Sequence, residues 1–207
     1  MKRYEFIIPE WSHDDIFAPV RSKIDCIRLL MKTLKLIEAS PEITEQYEAG
    51  KIELVIARMS RVFYFSENKY FSICFPFSVR KNDEGFIFYK GDIDPIDSFL
   101  TSLILSFLPS DDHLDLGSAF DFASSTSDRD YEIAWPLLRE LLMHEDGYIR
   151  YDHDPLHENH RLHPLNHLDV FYSSAATFKL GMSNRIAKEA LVDLLKRETD
   201  CAFLNGF

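Results

Sequence analysis

The chain has 207 residues and a mass of 24.2 kDa, short for two domains but enough for one core that buries roughly 70% of the unfolded surface. A hydrophobic share of 46% against 28% charged excludes a disordered chain, and 17 Phe with 9 Tyr point to an aromatic-rich interior. The net charge of −11 leaves no global positive field for a phosphate backbone, which argues against nucleic acid as a partner.

Three cysteines, Cys26, Cys74 and Cys201, are widely spaced and read as buried thiols of a reducing compartment. The opening Met1–Trp11 segment is too quickly interrupted by Glu10 and Asp14 to hold an export signal core. No apolar run approaches the ~20 residues of a membrane span. A cytoplasmic location without membrane partners is expected.

From Val20 to Ile37, apolar Ile24, Ile27, Leu30, Met31, Leu34 and Ile37 recur at helical spacing. Ser40-Pro41 then suggests a short helix stopped by Gly50. Around Ile52–Ile56, Val62–Phe65, Tyr70–Val79 and Phe86–Tyr89 the chain becomes β-branched and aromatic, with turns between, as in an antiparallel meander. Asp94-Pro95 opens a helix that runs to Leu108, and the Ser- and Asp-rich stretch 109–130 reads as a surface connection. A further helix extends to about Glu145, its ordered start placed near Trp135 by Pro136. Strands over Leu168–Tyr172 and Thr177–Leu180 and a helix from Ser183 to about Thr199 complete the chain. The expected fold is a single α+β domain over 1–207, with an antiparallel sheet of about four to six strands and four to five helices.

Chemistry concentrates between Arg150 and Asp169, which holds five of the eight histidines together with Asp152, Asp154, Glu158 and Asp169. Imidazole and carboxylate are the usual ligands of zinc, manganese and non-haem iron. A strand over Asn166–Tyr172 puts His167 and Asp169 on one face, for one ion or an acid–base pair. Pro164 biases His163 to an extended backbone, so His163 and His167 are not a helical zinc pair. His167-x-Asp169 begins a facial triad, but no third histidine follows it. Asp169 and Lys179 fit part of an Asp…Glu-x-Lys nuclease pattern, yet Thr177 stands where the second carboxylate belongs. No Gly-x-Ser-x-Gly elbow surrounds Ser173-Ser174, and no glycine-rich phosphate loop occurs.

Histidines and acids in a loop also serve as solvated groups that satisfy backbone at a strand entrance, and His153, His157 and His160 fit that description. Arg150 and Asp152 share a face of an extended segment and suit a buried ion-pair network equally well.

Arg150-Tyr151-Asp152-His153-Asp154, His163-Pro164-Leu165-Asn166-His167-Leu168-Asp169 and Thr177-Phe178-Lys179-Leu180-Gly181 together resemble a bacterial domain-of-unknown-function family of similar length. The resemblance covers the C-terminal third. It implies a bacterial source and assigns no activity.

Two functions follow. The first is a non-enzymatic accessory or interaction protein of a bacterial multi-protein system, of the mobile-element or phage-defence kind, with a protein partner or a second copy of itself. The alternative is a metal-dependent hydrolase, a nuclease or phosphoesterase. There His163, His167 and Asp169 hold a divalent zinc, manganese or iron ion, Asp152 or His153 is the general base, and Arg150 stabilises negative charge. A third use, a small-molecule pocket walled by the Phe- and Tyr-rich sheet, calls for an apolar cavity.

Overall fold

The computed structural model describes residues 1–39, 48–83, 85–108, 128–173, 176–196 and 198–202. Five helices, a seven-stranded antiparallel sheet and a two-stranded hairpin make one α+β unit among them.

The chain begins with β1 (Lys2–Pro9), absent from the expected elements, which pairs with β2 (Glu48–Ile56) and turns Ile8 into the core. A 3-10 turn (Glu10–Ser12) and the one-turn α1 (His13–Ile16) lead to α2 (Lys23–Ala39). Its start is a capping box: the Ser22 hydroxyl accepts from the Asp25 amide at 3.2 Å, and the Asp25 carboxylate accepts from the Ser22 amide at 2.9 Å. All six apolar positions read from the sequence are buried on α2.

The helix expected after Ser40 falls largely outside the described residues, and its proposed stop is corrected: Gly50 belongs to β2. A Cβ there would lie 2.6 Å from the Phe65 carbonyl oxygen, so close strand approach requires the glycine.

β2, β3 (Arg61–Phe65) and β4 (Lys69–Cys74) form the expected meander. The run to Val79 does not continue it. The chain leaves the sheet at Phe75-Pro76-Phe77, and β5 (Ser78–Asn82) pairs with β6 (Gly85–Tyr89) as a separate hairpin. α3 (Ser98–Phe107) starts later than Asp94, capped by Asp97, whose carboxylate accepts from the Leu100 amide at 2.8 Å. α4 (Asp128–Met143) begins before Pro136 and runs through it, which corrects the expected start near Trp135 and removes Asp128–Asp130 from the connection; 109–127 lies outside the described residues.

β7 (Ile149–His153) takes the place beside β4, followed by β8 (Asn166–Ser173) and β9 (Ala176–Met182), giving the order β1-β2-β3-β4-β7-β8-β9. The last helix, α5 (Lys188–Leu194), is much shorter than the expected 183–199.

Helices α2, α3 and α4 cover one sheet face, in a core that includes Leu34, Ile52, Tyr64, Phe71, Leu137 and Tyr148. α5 covers the other, setting Leu191 against Tyr151 and Leu168 and Val192 against Phe63. Cys26 is buried as expected, but Cys201 is exposed. No described helix is long and apolar enough to cross a membrane.

Candidate functional site

Strand register alone assembles the charged residues. Tyr70, Tyr151, Leu168 and Leu180 are successive partners across β4, β7, β8 and β9 and face α5. Because side chains alternate along each strand, the neighbouring rows project the other way. One is Phe71, Arg150, Asp169 and Lys179, and the next is Lys69, Asp152, His167 and Gly181. The face that is apolar under the helices therefore becomes a polar grid on β7–β9.

The grid is closely bonded. Arg150 Nε donates to Asp152 Oδ2 at 2.6 Å, and its Nη2 donates to Asp169 Oδ2. Lys179 Nζ donates to Asp169 Oδ1 at 2.6 Å and to His167 Nε2 at 3.0 Å. His167 Nδ1 lies 2.7 Å from the Pro164 carbonyl oxygen. A carbonyl only accepts and an ammonium only donates, so these partners assign the neutral His167 ring with its proton on Nδ1 and its lone pair on Nε2.

The 154–165 connection folds over the grid. Pro164 packs on Gly181, where an added Cβ would meet the proline ring at 2.9 Å. The His163 ring stands edge-on to His167 with centroids 4.4 Å apart. Beneath it, His167 has 0% exposure and Asp169 5%. Burial works against the Arg150 charge, but Tyr148, Asp152 and Asp169 outweigh it and hold its pKa above the ordinary guanidinium value. Lys69, which donates to the Phe17 carbonyl at 2.9 Å, is pushed down to about 8 by burial, assisted by Arg150 and opposed by Asp152. The Tyr148 hydroxyl is buried beside Arg150; burial raises its pKa and the guanidinium opposes that rise.

Asp152, His167 and Asp169 each present a ligand atom, all within 4.8 Å of one another, so this set has the geometry to hold a metal. Asp152 Oδ2 and His167 Nε2 are 3.6 Å apart, close to the separation of about 3.3 Å between neighbouring donors of tetrahedral zinc. Of the other sequence candidates, Arg150 is bonded to both carboxylates of this set, while His163 and His153 aim their ring nitrogens elsewhere. The His163 Nε2 atom is turned to Asp154 Oδ2 at 3.2 Å. His153 projects to the opposite face from Arg150 and Asp152, where its Nδ1 lies 2.9 Å from Asn166 Oδ1. His157 and His160 are exposed.

Tyr148, Lys69 and Gly181 were not among the candidate site residues, and Lys179 entered through the nuclease pattern and, with Gly181, through the resemblance segment 177–181. For Lys69, Lys179 and Gly181 the signal is period-two placement on β4 and β9, the strands that adjoin β7 and β8, which becomes readable once the strand order is known; Tyr148 lies just before β7 and carries no such signal. Compared with protein-family models, curated proteins and solved structures, the chain matches none.

Proposed function

We propose that the protein is a non-enzymatic interaction module that docks a protein partner through its 154–165 connection. The observation that carries this reading is the exposure of two large apolar side chains, Leu156 at 88% and Leu162 at 78%, on a connection whose backbone is pinned. Asp154 Oδ1 accepts from the Leu156 and His157 amides at 3.2 and 3.1 Å, while Asn159 and His163 exchange two backbone bonds of 2.7 Å. An ordered loop binds with less entropy lost than a mobile one, and apolar anchors within a polar rim suit protein recognition. The charge network beneath serves as its foundation.

The test compares the wild-type chain with Leu156→Asp/Leu162→Asp after in-cell crosslinking. Crosslinks that map to 154–165 and vanish in the variant, at unchanged melting temperature, support docking; partners retained in full by the variant overturn it.

A second reading, a metal-dependent hydrolase of the nuclease or phosphoesterase class, is favoured by the convergence of Asp152, His167 and Asp169. In it these three hold a divalent zinc, manganese or iron ion, and Arg150 stabilises developing negative charge. Elemental analysis of purified protein beside His167→Ala tests it. Near-stoichiometric metal that the variant lacks supports the reading, and no metal in the wild type counts against it.

A further inference from the structure

We infer that Lys179 gates the Asp152–His167–Asp169 centre: its ammonium stands in the position of a divalent cation, and an incoming zinc or manganese ion displaces it. This rests on the metal reading above and concerns how that centre is controlled.

Three features carry the inference. First, His167 is set up as a ligand: its Nδ1 proton is spent on the Pro164 carbonyl at 2.7 Å, the backbone bond by which ligating imidazoles are commonly oriented. Its Nε2 lone pair faces Asp152 Oδ2 at 3.6 Å and Asp169 beyond. Second, the ammonium touches two of the three donors, at 3.0 Å from His167 Nε2 and 2.6 Å from Asp169 Oδ1. It uses the imidazole lone pair and the carboxylate oxygen that an ion would use.

Third, of the two cations bonded to these carboxylates, Arg150 and Lys179, only Lys179 is placed to leave. Arg150 is tied to both carboxylates and its side chain is 20% exposed. Lys179 is on the edge strand β9, 30% exposed, at the end of a flexible four-carbon stem. Its withdrawal leaves Asp169 Oδ1 and His167 Nε2 free while Arg150 keeps the carboxylates aligned.

The experiment is calorimetric titration of the metal-stripped full chain with zinc chloride, then manganese chloride, in the wild type, Lys179→Met, Lys179→Gln and Lys179→Met/His167→Ala. Thermal melts accompany each variant, and Lys179→Gln serves if the methionine variant does not fold. A neutral residue at 179 is expected to tighten binding at least tenfold, and the added His167→Ala to abolish the gain. Equal affinity in the wild type and both Lys179 variants overturns the gate while leaving the centre intact. A gain that survives His167→Ala places the ion elsewhere and overturns it too. No binding by any of the four proteins overturns the metal reading itself.

Discussion

Lys179 faces Asp169 across the β8–β9 ladder, and its ammonium donates to Oδ1 at 2.6 Å while Arg150 holds Oδ2 from the β7 side. Asp169 is thereby the hub of the grid. Its removal leaves two partly buried cations facing each other with one carboxylate between them. Breaking a buried pair from one side typically costs about 3–5 kcal/mol, whereas an exposed pair contributes about 0–1 kcal/mol. Asp169→Ala is therefore expected to lower stability by roughly 3–5 kcal/mol. Asp94→Ala, which releases the exposed Arg80, should cost less than about 1 kcal/mol. Urea denaturation of both variants measures the contrast, and equal losses would show that the grid is solvated.

Gly181 and Pro164 define how the connection is clasped. In a strand, Gly→Ala by itself gains roughly 0.5–1 kcal/mol through backbone entropy. Here the new Cβ meets the Pro164 ring at 2.9 and 3.4 Å, and overpacking of that kind costs about 1–3 kcal/mol. The steric effect is the larger, so Gly181→Ala should destabilise. It should also loosen the bond from His167 Nδ1 to the Pro164 carbonyl. Limited proteolysis is the readout: cleavage within 154–163 should accelerate in the variant, and an unchanged rate with a higher melting temperature would refute the clasp.

How much of this could be read in advance depends on where each signal resides. The α2 stripe is local, six apolar positions at one spacing, and it fell where expected. The shared face of His167 and Asp169 was equally local, since period two needs only one strand. β7 was not local: Ile149–His153 is short and mostly polar, and its strand state depends on pairing with Lys69–Ser72, distant in sequence. Without β7 and β9 in register, nothing in the chain puts Asp152 rather than His163 into the ligand set with His167 and Asp169, or brings Lys179 to Asp169. Gly50 misled for a related reason. A glycine demanded by the Phe65 carbonyl looks, in sequence, like one that ends a helix.

The helix–sheet interface contains one polar pair with an assignable direction. Thr33 Oγ1 donates to the Leu29 carbonyl at 2.8 Å, so the Tyr64 hydroxyl, 2.7 Å away, donates to Thr33. Both residues are fully buried. Tyr64→Phe removes the donor and leaves Thr33 with its Leu29 bond, at a cost of about 1 kcal/mol. Thr33→Val leaves a buried tyrosine hydroxyl with no acceptor, and the penalty for that is about 1–3 kcal/mol. The threonine variant should be the less stable of the two in chemical denaturation; the reverse order would mean that the hydroxyl finds another acceptor.

Lys69 supplies a pH signature with a definite sign. Burial pushes its folded-state pKa down to about 8, while the unfolded chain titrates near its ordinary value of about 10.4. Below pH 8 both states carry the proton and the fold bears the full cost of the buried charge. Between about pH 8 and 10.4 the unfolded chain binds a proton that the folded one has released, so stability attributable to Lys69 rises with pH. Lys69→Met removes that contribution and leaves the buried Cys26, Tyr64 and Tyr148, whose raised pKa values act in the opposite direction, to cancel in the comparison. The difference in unfolding free energy between wild type and variant should move toward the wild type from pH 7.5 to 9.5. Its slope is bounded by about 1.4 kcal/mol per pH unit and reduced by screening at a half-buried amine. Parallel curves over that window would mean that the Lys69 ammonium reaches solvent instead of the Phe17 carbonyl.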